Sequence, residues 1–201
     1  MLRVRRTALL LLSSFTMALG QASSNPVTVK ATNGIVTFTN TGTVSIAAIV
    51  ATTSTDGNVG LFRHDYYFNK SGFGPSDYQD FDMVVPAARA QGHIPQVSAT
   101  VVFLQFADGS TWGDAQRPEV REMIAWRKAE KEAFQNLVAA YASGGDTAFQ
   151  NAVSALPATA PERFVARLVA DLQKQGGSAA AVASINDRLA AAAARDSTGK
   201  F

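Results

Sequence analysis

The chain has 201 residues, no cysteine, and 18 basic against 16 acidic side chains. The missing thiols exclude disulfides, thiolate metal sites, a cysteine nucleophile and a lipid-anchored lipoprotein, so the fold must rest on its apolar core. Three of the basic residues and none of the acids fall in residues 1–22; beyond them the count is 15 against 16, net −1, which leaves no basic excess for neutralising nucleic-acid phosphates.

The chain opens with Arg3, Arg5 and Arg6, followed by a mostly apolar run from Ala8 to Phe15. That run falls short of the ~20 apolar residues a membrane-spanning helix needs. Small residues at Ala18, Gly20 and Ala22 fit cleavage before Gln21 or before Ser23. Residues 1–22 therefore read as a cleavable signal peptide, and the protein as exported to the periplasm or the cell exterior. Arg5-Arg6 is a partial twin-arginine match, with Ala8 where a larger apolar residue belongs, so the export route stays open. No later segment is long and apolar enough to cross a membrane.

Residues 26–114 read as β structure. Val27 to Lys30 alternates, Asn33-Gly34 supplies a two-residue turn that accepts positive φ, and Ile35 to Thr39 returns. Asn40-Thr41-Gly42 marks another turn. Val44 to Thr53 is apolar on both faces, as a central strand requires. Asp56-Gly57 and Asn58 form the next loop, a strand is predicted from Leu61 to Phe68, and Phe81 to Val85 forms another. Val97 to Phe106 is the strongest strand, closed by Asp108-Gly109 before a short return at Thr111-Trp112. About seven short strands separated by turns predict an antiparallel sandwich.

The pattern changes at Pro118, a residue suited to the first turn of a helix. Val120, Ile124, Phe134, Leu137, Val138 and Tyr141 recur at mostly three- or four-residue steps and predict one apolar stripe. The charged run Arg127 to Glu132 reads as a solvated face with mixed pairing: Lys128–Glu132 is favourable and Arg127–Lys131 is like-charged. Gly144-Gly145 is expected to end this helix and Asp146 to cap a short second one to Leu156. A third is predicted over 162–175, with Phe164, Val165, Leu168, Val169 and Leu172 on its apolar face. Gly176-Gly177 then ends it, and Ser178 caps an alanine-rich fourth helix to about Arg195; the tail after Asp196 is expected to be disordered. The fold class is thus α+β: an antiparallel sandwich over 23–114, then a helical region of three to four helices over 115–201. Because Val101 to Phe106 is apolar on both faces, the helical half is expected to cover the outer sheet face, with Trp112 or Trp126 at the junction.

Val36-Thr37-Phe38-Thr39-Asn40-Thr41-Gly42, Val44 to Val50, Val101-Val102-Phe103 and Phe106-Ala107-Asp108-Gly109-Ser110 together resemble the immunoglobulin-like modules of secreted bacterial proteins. The resemblance covers residues 26–114. The cysteine pair and core tryptophan of antibody domains are absent, so the looser bacterial type is the one that fits. It implies binding or scaffolding more often than catalysis, and no family resemblance extends to the helical half.

No residue set assembles a catalytic centre. His64 and His93 have no metal-ligand spacing, and no Gly-x-Ser-x-Gly elbow accompanies His64-Asp65. Asp77, Asp80 and Asp82 lack the pattern of a calcium loop. Catalytic, metal and cofactor assignments are therefore none. The aromatic cluster Tyr66, Tyr67, Phe68, Phe73, Tyr78 and Phe81 is the stronger signal, since loop tyrosines give large contact area with little entropy loss. Tyr66, Phe73 and Tyr78 are the candidates for exposure and for binding. The expected function is noncatalytic binding or scaffolding of a protein or glycan partner. The alternative is a hydrolase of extracellular polymer that uses the Asp65–Asp82 loop region.

Overall fold

The computed structural model of the chain describes residues 24–83 and 90–197. The leader, the predicted strand residues 84–85 and the tail beyond Ser197 lie outside the described residues. The strands are β1 (Val27–Thr32), β2 (Ile35–Asn40), β3 (Ile46–Thr55), β4 (Asn58–Asp65), β5 (Tyr78–Asp82), β6 (Val97–Phe106) and β7 (Thr111–Gly113). Two helices follow, α1 (Pro118–Ser154) and α2 (Ala160–Asp196).

The strands form two antiparallel sheets, ordered β1-β2-β5 and β4-β3-β6-β7. Asn33-Gly34 joins β1 to β2 with φ of 52° and 78°, and Asp56-Gly57 joins β3 to β4 with φ of 49° and 82°. Both dipeptides thus take the doubly positive geometry whose twist matches paired strands. The second hairpin is tighter than the sequence reading allowed. Thr55 pairs directly with Asn58, so β4 begins at Asn58 and ends at Asp65, ahead of the expected Leu61–Phe68 span. β3 is likewise displaced from the expected Val44–Thr53 to Ile46–Thr55, and β5 begins at Tyr78 rather than Phe81.

The sheets face each other across a core that includes Val36, Phe38, Ile46, Ile49, Phe73, Val101 and Leu104. Phe62 of β4 lies stacked on Phe38, with ring centroids 5.0 Å apart, and meets Phe81 edge-on at 4.3 Å. Full burial of each large apolar side chain contributes ~1.5–3 kcal/mol, which is how a cysteine-free chain of this length holds together.

The β3–β6 ladder shifts register between Val50 and Ala51, where Val50 opposes Phe103 and Ala51 opposes Val101, so Val102 has no opposite number. This bulge changes which residues face inward. Ile49, Ala51, Val101 and Leu104 fill the space between the sheets, while Ala48, Val50 and Phe103 face the other way and pack against Val120 and Met123 of α1. The helical half therefore covers the outer face of the four-stranded sheet, which explains the two-faced apolar strands.

The expectation of three to four helices is corrected: the described residues contain two. Each contains a glycine pair, Gly144-Gly145 and Gly176-Gly177, with matching non-helical geometry, and Gly145 and Gly177 have φ of 61° and 74°. Helical geometry is lost for only two residues and resumes at once, and the residues on both sides pack into one core. Each long helix is thus two helical arms joined at a kink. Ser178 Oγ accepts hydrogen bonds from Gln150 Nε2 and Gln173 Nε2, each 3.2 Å, and so fastens the short arm of α1 to the bend of α2. The shared helical core holds Phe134, Leu137, Phe149, Val165, Val169 and Ile185, together with Tyr67 and Phe68 from the turn after β4. Ile124, expected on the buried stripe, is 53% exposed; Met123 takes that place. No helix among the described residues is long and apolar enough to cross a membrane.

Candidate functional site

A cleft of about 590 Å³ opens where β4, α1 and α2 meet. Its construction follows from two periodicities. Side chains alternate along a strand, so Leu61, Arg63 and Asp65 all leave β4 on its outer side. Steps of three and four residues put Met123, Trp126, Arg127 and Glu130 on one helix face, turned toward that strand. Phe164 from the first arm of α2 and Arg188 from the second close the far side, with Phe68 and Asn69 at the end.

Arg127 is the principal fastening of this region. Its Nε donates to Asp65 Oδ2 at 2.6 Å and its Nη2 to Asp65 Oδ1 at 2.9 Å, a two-pronged pairing. Its Nη1 donates to Gln105 Oε1 of β6 at 2.6 Å. Asp65 Oδ1 also accepts the Tyr67 backbone N–H at 2.9 Å. The expected solvated face is thus corrected at Arg127, which is buried because an acid and an amide on the sheet satisfy its donors. The like-charged Arg127–Lys131 pair is relieved by separate acids: Lys131 Nζ donates to Asp196 Oδ2 at 2.6 Å, and the Tyr67 hydroxyl donates to the other oxygen of Asp196. Burial raises the Asp196 carboxyl, but the hydrogen bonds from Lys131 and Tyr67 outweigh it and hold the group below the usual carboxylate range.

Arg63 lies over the Trp126 ring at 4.4 Å, and its Nη1 is 3.2 Å from Glu122 Oε2. Trp126 stands at the junction, while Trp112 packs against the core between the sheets. Glu130 occupies a largely desolvated position. Burial, reinforced by the charge of Asp65, pushes its carboxyl up to about 7, with Arg188 and Arg127 partly opposing the shift and Glu162 adding to it. Burial pushes the Arg188 guanidinium down from its ordinary value, with Glu130 opposing. His64 is lowered by burial against the partial opposition of Asp65, and its ring contacts Tyr66 and Phe81 at 4.4 and 5.5 Å.

The three residues expected to be exposed for binding do not converge here. Tyr66 and Phe73 are buried, 6% and 1% exposed, and this corrects the expectation for both. The Tyr66 ring contributes to the core between the sheets. Phe73 exchanges two backbone hydrogen bonds with Ile46, at 2.8 and 2.9 Å, which draws its ring into the same core. Tyr78 is 68% exposed, at the start of β5. Of the acids in the Asp65–Asp82 region, only Asp65 lines the cleft. Asp77 Oδ2 accepts the Gly74 N–H at 2.7 Å and Asp80 Oδ1 accepts the Thr37 hydroxyl at 2.6 Å, so both serve local structure. His93 sits in an exposed pair with Asp56 at 2.7 Å. Among the described residues no group of three or more His, Asp and Glu could hold a metal ion.

Sequence reasoning missed Arg127, Glu130, Phe164 and Arg188 as cleft residues. A signal for three of them was available. Val120, Met123, Arg127, Glu130, Phe134 and Leu137 continue one helical stripe, as do Ala181, Ile185, Arg188 and Ala192. Charges at positions where a stripe calls for apolar side chains mark paired or functional groups. Comparison with protein-family models, with curated proteins and with solved structures finds no match.

Proposed function

We propose that this is an exported, noncatalytic binding protein whose ligand seats in the cleft between the four-stranded sheet and the helices. One observation carries the reading: a concavity of about 590 Å³ whose wall is formed by Leu61, Met123, Trp126 and Phe164, with a few charged groups converging inside it. Preformed ligand sites combine these properties, and this size falls within their usual range. Leu61 and Phe164 are 40% and 49% exposed, so apolar surface remains available at the mouth.

Export is read from residues 1–22, and mass spectrometry of the protein recovered from the periplasm or medium checks it: the N-terminus should be Gln21 or Ser23. An immunoglobulin-like scaffold is supported by the division of seven strands into three and four. The constant-type arrangement puts its fourth strand with the first, second and fifth. Here β4 joins β3 instead, which brings Arg63 and Asp65 to the helices.

The polymer-hydrolase reading draws on Glu130, a carboxyl near neutrality beside Asp65. It is the weaker reading because glycoside hydrolysis uses two working carboxyl groups, and both oxygens of Asp65 are engaged by Arg127. The binding reading is tested with the uncharged probe N-phenyl-1-naphthylamine. Its fluorescence should rise on mixing with the folded protein, and the rise should fall several-fold in Trp126→Ala and Phe164→Ala variants that keep the parent's circular dichroism. No probe binding, or undiminished binding in both variants, refutes a ligand seat here.

A further inference from the structure

The charged groups of the cleft are not equally engaged. Arg127 spends its donors on Asp65 and Gln105. Arg63 Nη1 makes no hydrogen bond, but its charge is paired with Glu122 Oε2 at 3.2 Å and its guanidinium lies over the Trp126 ring. Arg188 differs. Its Nε is buried with no hydrogen-bond partner, and no ion pair joins its guanidinium to a described residue. Glu130 feels the charge of Arg188 but makes no ion pair with it, and no hydrogen bond ties Glu130 to a described residue. Two hydrogen-bonding groups on opposite helices therefore face one cleft, each with capacity unused. Beside them lie the rings of Trp126 and Phe164.

The charges decide which ligand suits them. Of the three arginines that line the cleft, Arg127 is paired with Asp65, and Arg63 with Glu122, which is not itself a lining residue; Arg188 is left without an ion-pair partner among the described residues. Glu162, the other acid that acts on Glu130, does not line the cleft. An anion is the complement of an unpaired guanidinium, and a planar carboxylate matches its fork with two hydrogen bonds. A protonated carboxyl beside it offers a third donor.

We propose that the cleft is a carboxylate-binding site, in which Arg188 pairs with the carboxylate of the ligand, Glu130 donates a hydrogen bond to the same group, and Trp126, Phe164 and Leu61 hold an apolar flank. The proposal rests on the reading of the cleft as a ligand seat. It adds a pH dependence. The charged groups around Glu130 are Arg127, Arg188 and Asp65 of the cleft and Glu162 of α2, and burial lowers His64 on β4. Glu130, pushed up to about 7, changes charge in the neutral range, and once ionised it repels the bound carboxylate.

The test is displacement of N-phenyl-1-naphthylamine from the mature protein by N-acetylphenylalanine, its amide, and phenethylamine. The acid should compete about tenfold better than the amide, a gain expected of a charge-assisted two-pronged bond, and the amine should be the weakest. Arg188→Gln should bring the acid-to-amide ratio, each measured against the variant's own probe affinity, to about one, and Arg188→Lys should keep part of the preference. The preference should decline from about pH 6 to about pH 8, and Glu130→Gln should make it flat over that range. A short peptide ending in phenylalanine, with a free or amidated terminus, separates the two sources: a larger free-to-amide ratio than that of N-acetylphenylalanine assigns the site to chain ends, and a smaller one to small acids. If the probe binds but acid and amide compete equally, or the amine wins, the carboxylate assignment is overturned and the ligand seat stands. If the probe does not bind, both fall.

Discussion

At the scale of single residues, chemical type predicts less than position. Phe73 and Tyr78 are both aromatic and five positions apart, yet one is 1% and the other 68% exposed. Phe73→Ala leaves a cavity between the sheets and should cost about 3–5 kcal/mol. Tyr78→Ala should change stability by no more than about 0.5 kcal/mol. Urea titrations of both variants check the contrast, and a comparable loss at Tyr78 contradicts its placement on the surface. Glu130 gives a prediction with a sign. Its carboxyl is raised from its ordinary 4.5 to about 7 in the folded protein. Between those values the native state holds the proton more tightly than the unfolded chain does, so the stabilisation is complete at low pH and is lost as pH rises through about 7. The loss amounts to as much as roughly 3 kcal/mol by pH ~8. Glu130→Gln removes this slope: the variant should match the parent near pH ~4 and exceed its stability at pH ~8. Equal dependence of the two proteins on pH contradicts the burial of Glu130.

At the scale of elements, the bends and the bulge do most to shape the molecule. Gly145 combines φ 61° with ψ −148°, a region that an L-residue with a side chain enters only under strain, and Gly177 repeats it. Gly145→Ala and Gly177→Ala should each cost about 1–3 kcal/mol. Neither change creates a cavity or removes a charge, so helical ellipticity at low temperature should be kept while the thermal midpoint falls. An unchanged midpoint in either variant indicates that the chain passes that point as continuous helix. The register shift at Val102 acts differently. By inverting which side chains of β6 face inward, it gives α1 an apolar patch to cover and turns Gln105 toward Arg127.

At the scale of the whole molecule, the sheets and helices share their interior. Tyr67 and Phe68 follow β4 in sequence but belong to the helical core, where Phe68 meets Phe134 edge-on at 5.3 Å. In the other direction, Val120 and Met123 of α1 complete the face of the sheet. Neither half is closed without the other. Unfolding by urea should therefore give coincident midpoints for tryptophan fluorescence and helical ellipticity, and a separate earlier loss of helix contradicts the shared interior.

What the sequence determined by itself is local in origin. The turns at Asn33-Gly34 and Asp56-Gly57 follow from φ preferences acting within a dipeptide, and Val97–Phe106 and the start of α1 at Pro118 follow from patterning within one element. The ends of β3 and β4 were misread because the tight second hairpin draws Asn58 into pairing with Thr55, a choice made by the partner strand. The glycine pairs were visible, but whether they divide or bend a helix depends on how the flanking arms pack. The stripe positions of Arg127, Glu130 and Arg188 were legible, but their convergence on one cleft belonged to tertiary structure. Arg127 finds Asp65 across 62 positions of chain, and only that meeting leaves Arg188 and Glu130 as the uncommitted groups. Burial and pairing are properties of neighbours in space, and the neighbours of a charge on a helix face are set by the sheet it covers.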